Sequence, residues 1–289
     1  MCDANHGESV QPTGNRPSII AVCGKGGAGK TSISAAIVRT LLEDPARRVL
    51  AIDADPAVGL ASALGVEVTR TVDDIRTDLI GKMESAKGSS RTELLSNLDY
   101  EVFEAISERG NLAFLAIGRP EREGCYCQVN DLLRDIIAGL AENFDAVVID
   151  GEAGIEQVNR RVMEHVTHLL TVSDLSARGI NVVKSIRKVA SSAVHYETTG
   201  LILNRIRREE ELRDIIIPDE LSFLGWIPED EAVRNADIHG RSLLDLPSSA
   251  LHHAVRDCLC RAGVVGAYVQ ARPHEDGHAH FHAHDDRPA

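Results

Sequence analysis

Short, continuous apolar runs punctuate the chain: Ile19-Ile20-Ala21-Val22, Val49-Leu50-Ala51-Ile52, Leu112-Ala113-Phe114-Leu115-Ala116, Ala146-Val147-Val148-Ile149, Leu169-Leu170-Thr171-Val172, Leu201-Ile202-Leu203 and Phe223-Leu224-Gly225-Trp226. None of them alternates apolar with polar, so each predicts a strand buried on both faces rather than a half-solvated one. Between the runs the period changes. Ile33, Ile37 and Leu41 share one face of a helix, and Leu251, Val255 and Leu259 share another near the end of the chain. Strands interleaved with helices predict an α/β fold, a mostly parallel sheet with helices on both faces. The stretch from Thr71 to Gly110 carries more charge and is broken by Gly88-Ser89-Ser90-Arg91-Thr92, which predicts surface helices inserted between the second and third runs. No internal repeat is present. Several runs end in Asp, Gly or Asn, and open α/β sheets bind ligands beyond the carboxyl ends of their strands.

The length of 289 residues would allow two domains, but the elements alternate without a linker. That predicts one domain over residues 17–266, between a flexible N-terminal tail (1–16) and a His-rich C-terminal tail (267–289). A net charge of −13 argues against a broad nucleic-acid or anionic-membrane surface, since both require clustered Lys and Arg. The first sixteen residues are polar, and no apolar run approaches the roughly 20 residues that cross a bilayer, so a cytoplasmic protein is expected. Six cysteines in such a chain do not make a disulfide scaffold; in a reducing compartment, close pairs bind metal or do redox chemistry.

The first strand runs into Gly24-Lys25-Gly26-Gly27-Ala28-Gly29-Lys30-Thr31 and then into the helix of Ile33, Ile37 and Leu41. Strand, glycine-rich loop and helix in that order form a phosphate-binding loop, with unhindered backbone N–H groups converging at a helix N-terminus. Gly24, Gly26, Gly27, Ala28, Gly29 and Ser32 belong to the cradle. Lys30 is expected on the β- and γ-phosphates of ATP, and the Thr31 hydroxyl on magnesium. Asp150 ends the strand Val147-Val148-Ile149. A strand-end Asp also caps helices, but beside such a loop it reads as a carboxylate that holds magnesium through water.

Lys25, directly after the first glycine, gives the form G-K-G-G-x-G-K-T. This resembles the deviant Walker A loop of the ATPases that include MinD, ParA and the nitrogenase iron protein, and so implies a P-loop NTPase of that type. The resemblance implies a homodimer in which each Lys25 reaches the partner's nucleotide. It also implies that Asp55, in Asp53-Ala54-Asp55-Pro56, positions the attacking water, with Asp53 the second choice because it could instead cap the following turn. Asn204-Arg205 is similar to the family's adenine-reading pair; an amide supplies the donor and acceptor that adenine requires, although Asn also caps turns.

Gly124-Cys125-Tyr126-Cys127 lies in a Gly/Pro/Glu/Arg-rich stretch, and its two thiols are soft ligands for nickel, zinc or an iron–sulfur cluster. Cys125 and Cys127 from each of two chains would supply four thiolates. With Gly118-Arg119-Pro120-Glu121, Val129-Asn130, Glu152-Ala153-Gly154 with Glu156, Asn204-Arg205 and Gly240-Arg241-Ser242-Leu243-Leu244-Asp245-Leu246-Pro247, the chain resembles the CooC-type ATPases from Ser18 to about Ala262. That resemblance implies an ATP-hydrolysing homodimer that inserts nickel into carbon monoxide dehydrogenase or acetyl-CoA synthase, with nickel or zinc shared between protomers at Cys125 and Cys127. Gln157 departs from the His expected there. Two other readings stay open: an iron-protein-like reductase with a dimer-bridging cluster, and a ParA/MinD-like positioning ATPase. His274, His278, His280, His282 and His284, interspersed with acids, predict a weak metal-holding tail rather than a contiguous tag. Cys258, Cys260, His252 and His253 lie in an apolar helical pattern and read as packing residues.

Overall fold

The structure, a computed structural model, describes residues 16–85, 97–119, 127–151, 162, 165–193, 195–213 and 215–266; the side chains of 85, 127, 128, 192 and 193 are outside the description. Strands β1 (Ser18–Gly24), β2 (Val49–Asp53), β4 (Leu112–Ala116), β5 (Ala146–Asp150), β6 (His165–Ser173), β7 (His195–Ile206) and β8 (Phe223–Pro228) coincide with the seven apolar runs. One further strand, β3 (Ser107–Arg109), pairs antiparallel with β4. Its sequence, Ser-Glu-Arg, has no apolar signature, because an edge strand need bury neither face. The described strands form a single sheet in the order β3-β4-β2-β5-β1-β6-β7-β8, parallel except for β3.

Eight described helices cover the sheet: α1 (Lys30–Leu41), α2 (Gly59–Leu64), α3 (Val72–Ser85), α4 (Leu98–Glu104), α5 (Cys127–Ala141), α6 (Ala177–Ala193), α7 (Glu231–Ile238) and α8 (Ala250–Arg261). Successive strand residues divide between two cores, as the period of two requires. Ile20 and Val22 pack with Ile33, Ile37 and Leu41 of α1, Leu60 of α2 and Leu251, Val255 and Leu259 of α8. Ala21 and Cys23 pack on the other face with Ile75 of α3, Leu98 of α4, Leu133 of α5 and Ile186 of α6. α3 and α4 are the helices expected between the second and third apolar runs. Among the described residues, no helix is long and apolar enough to cross a membrane.

This topology sets the site. β2, β5, β1, β6 and β7 are consecutive neighbours in the sheet and run in one direction, so their carboxyl ends lie side by side.

Candidate nucleotide site

The loop after β1 enters α1 through Gly29, whose φ of +88° is a left-handed conformation, and whose missing Cβ would lie 2.4 Å from the Asn204 side-chain nitrogen. Only glycine meets both conditions. Asn204, near the carboxyl end of β7, is buried and donates from Nδ2 to the Ala28 carbonyl at 2.7 Å. One amide proton is thus committed to holding the loop, leaving the other and Oδ1 as its remaining polar capacity. Arg205 follows with φ +63°.

No side chain caps the start of α1, so the N–H groups of its first turn, over Lys30, Thr31 and Ser32, point out of the helix end toward the loop. Lys30 is buried, with Nζ 3.5 Å from the Lys25 carbonyl. Among Gly24, Gly26, Gly27 and Ala28, an added Cβ at Gly26 or Gly27 would meet nothing within 4 Å. That open side is where phosphates would approach.

Asp53 and Asp150 are register neighbours at the tips of β2 and β5, and both are buried. Asp150 Oδ1 accepts from Ser34 Oγ at 2.9 Å, while its Oδ2 is buried without a hydrogen-bond partner. Burial pushes its carboxyl up to about 6, against the opposing effect of the Thr31 and Ser34 hydroxyls and Lys30. An unpartnered buried carboxylate oxygen beside a Thr hydroxyl fits magnesium: Thr31 would ligate the ion and Asp150 would hold it through water. Asp53 Oδ1 accepts from Asp55 N at 3.0 Å and Oδ2 from Leu60 N at 2.8 Å, so it does cap the turn into α2. Burial, reinforced by the Asp150 charge, pushes Asp53 up to about 7.

Asp55 is half-buried and accepts from Ala57 N at 2.9 Å. It stands in a short segment that ends at Val58, a β-branched residue at φ +50°. Such a residue is strained in the left-handed region, a strain found at ligand clamps and switches.

Lys25 turns away from the loop. Its Nζ lies 2.5 Å from Asp174 Oδ2 and 3.3 Å from Ser176 Oγ, just beyond the tip of β6. Partial burial works against the Asp174 charge, but the hydrogen bonds from Lys25 and Ser176 win and hold this carboxyl below its usual range. Sequence reasoning missed Asp174 and Ser34. Asp174 does follow an apolar run, the feature that exposed Asp53 and Asp150, but no local spacing pairs it with a lysine 149 positions away.

Cys125 and the segments with Glu121, Glu152, Glu156 and Gln157 lie outside the described residues, as do His274, His278, His280, His282 and His284. Cys127 is described only as the backbone that opens α5. Among the described residues, no group of three His, Cys, Asp or Glu is arranged to hold a metal ion. Cys258 is buried and its thiol is pushed by burial up to about 11, the behaviour of a packing residue. His252 is likewise buried, with Nε2 2.8 Å from Glu43 Oε1.

The fold recurs in solved structures. The MinD cell-division ATPase of Pyrococcus furiosus superposes with a TM-score of 0.60 at 24% identity, covering 86% of this chain and 99% of that one. At the level of sequence, an ATP-binding protein of Methanocaldococcus jannaschii, MJ0685, is 37% identical over 234 residues, 80% of this chain and 92% of that protein. The carbon monoxide dehydrogenase accessory protein CooC of Rhodospirillum rubrum is 32% identical over 237 residues, 78% of this chain and 89% of that protein. The pattern described as the CobQ/CobB/MinD/ParA nucleotide binding domain matches residues 19–243. That match spans most of the chain, and this chain belongs to the CobQ/CobB/MinD/ParA family of nucleotide-binding proteins.

Proposed function

We propose that the protein is a homodimeric ATPase that couples hydrolysis to nickel insertion into carbon monoxide dehydrogenase or acetyl-CoA synthase. The observation that carries this reading is the likeness to the Rhodospirillum rubrum accessory protein over most of both chains, in a sequence that holds the Cys125/Cys127 pair. The chain's own residues divide the work. The first-turn N–H groups of α1 and Lys30 bind the β- and γ-phosphates, and Asn204 with Arg205 borders the base. Asp55 orients a water for in-line attack on the γ-phosphorus: the new P–O bond forms, the bond to the β-phosphate oxygen breaks, ADP leaves, and the water's proton passes to the released phosphate or to solvent. Magnesium, held at Thr31 and Asp150, would supply positive charge to the phosphate oxygens as the bond breaks.

Lys25 is the dimer switch in this scheme. Leaving Asp174, it reaches the partner's nucleotide, and closure brings two Cys125/Cys127 pairs together on a nickel or zinc ion. The ion is cargo; hydrolysis reopens the dimer and releases it.

Metal analysis of the full chain with and without a non-hydrolysable ATP analogue tests the reading. One tightly held nickel or zinc per two chains is expected, bound with release of protons because thiols must ionise to ligate. Cys125→Ser or Cys127→Ser should abolish it, whereas deleting residues 273–289 should lower only the weaker capacity that fades as pH falls through about 6.5. Loss of the tight ion on tail deletion would move the functional ligands to the histidines. A broad absorption at roughly 400 nm after anaerobic purification would replace nickel insertion by an iron–sulfur reductase.

A further inference from the structure

Both ends of the stretch that carries the cysteine pair are anchored on one helix, α3. At the near end, Ile117 N donates to the Asp53 carbonyl at 2.9 Å and Asp73 N, in the first turn of α3, donates to the Ile117 carbonyl at 2.9 Å. Gly118, at φ +81°, follows; a Cβ there would lie 2.6 Å from Thr71 Oγ1. Thr71 is itself locked, since its Oγ1 accepts from Asp74 N at 3.2 Å while its own N donates to Asp74 Oδ2 at 2.8 Å, the reciprocal pattern of a helix cap.

At the far end, Arg76 Nε donates to Asn130 Oδ1 at 2.8 Å, and Arg76 Nη1 lies 3.5 Å from Asp73 Oδ1. Asn130 is in the first turn of α5, three positions after Cys127. Arg76 is only 7% exposed. Burying a guanidinium costs several kcal/mol unless its partners are well placed, so these contacts fix it in one arrangement. The hydrogen bonds from Asp53 through Ile117, Asp73 and Arg76 to Asn130 thus run from the nucleotide tip of β2 to the start of α5 without a gap.

We infer that Arg76 is a positioning residue: through Asn130 it holds the start of α5, and with it Cys127, in register with the strand tip that carries Asp53, so that nucleotide binding and metal binding are felt at each other's sites. The inference rests on the proposed metal-inserting function. Arg76 touches neither ligand. It acts by making α3 a rigid link between two segments, and any coupling it carries is reciprocal.

The test uses the full-length protein, nickel(II) as probe and the thiolate-to-nickel charge-transfer absorption as readout, a signal that imidazoles of the tail do not give. In the wild type, a non-hydrolysable ATP analogue should change nickel affinity by about 5- to 150-fold. Asn130→Ala should still bind the analogue and nickel separately, while the factor falls to within about twofold of unity. Asn130→Asp, which keeps the acceptor for Arg76, should restore it. Arg76→Lys keeps a cation beside Asp73 but loses the Nε donor, and is expected to lose the coupling as Asn130→Ala does. Full coupling in both Asn130→Ala and Arg76→Lys, or none in Asn130→Asp, overturns the inference and leaves the proposed function standing. Absence of coupling, or of the thiolate band, in the wild type overturns both.

Discussion

Carboxylates at two neighbouring parts of the same sheet end behave in opposite ways. At the tips of β2 and β5, Asp53 and Asp150 are buried side by side and pushed up to about 7 and about 6. At the tip of β6, Asp174 is more exposed, is paired with Lys25 and is held below its usual range. The difference is the source of the cation. β6 pairs its one carboxylate with Lys25, whereas β2 and β5 bury two carboxylates beside the single cation Lys30, and burial outweighs it. One pair keeps unmet negative charge, which would suit magnesium, and the other is already satisfied.

The largest expected effect removes the cation that serves the first region. Lys30→Ala should lose most ATP binding and at least about 10²-fold in turnover, measured by phosphate release. Asp55→Ala should keep binding and lose turnover by a similar factor; near-normal hydrolysis would move the water-positioning role to Asp53 or elsewhere.

A second prediction tests whether the β2/β5 tip is truly strained for want of a cation. Asp53 rises from 3.8 to about 7 on folding, so between those values the folded state binds more protons than the unfolded one. Stability from this group is therefore fully present below the unfolded value and falls as pH rises across that window. Asp53→Asn should flatten this slope in nucleotide-free melting curves; an amide keeps only one of the two acceptors that serve Asp55 N and Leu60 N, so the pH dependence and not the melting temperature itself is the readout. A melting curve that follows the wild type at every pH would show that the pair is not under charge stress.

The smallest effect belongs to the region that is already satisfied. Asp174→Ala frees Lys25 from an ion pair of the partly exposed kind, worth about 0.2–1 kcal/mol, so ATP-induced dimerisation should tighten by no more than about fivefold per lysine. Lys25→Ala should instead bind nucleotide as a monomer and fail to dimerise by light scattering. A weaker dimer in Asp174→Ala would mean that Asp174 supports the closed form rather than restraining it.

The sheet was legible because burial on both faces writes an uninterrupted apolar run, and the phosphate loop because its glycines and Lys30 are contiguous. Asp150 was legible for the same reason, as the polar end of an apolar run. Asp174 ended such a run too, but its meaning depends on Lys25, and pairing across 149 positions is set by strand order rather than by spacing. Arg76 gave still less signal. In a charged helix it looks like any surface arginine, and only the packing of α3 against α5 makes it a buried one. β3 was invisible because three polar residues suffice where no face needs covering.

That last strand governs more than the edge it closes. A long apolar margin would invite another chain to extend the sheet indefinitely, the route to fibres. Here one margin is a three-residue strand with Glu108 and Arg109, and the other, β8, pairs irregularly with β7, contains Gly225 and stops at Pro228. Proline cannot donate to a ladder, and a broken register offers no template. Among the described residues, both margins therefore carry features that discourage another chain from adding a strand.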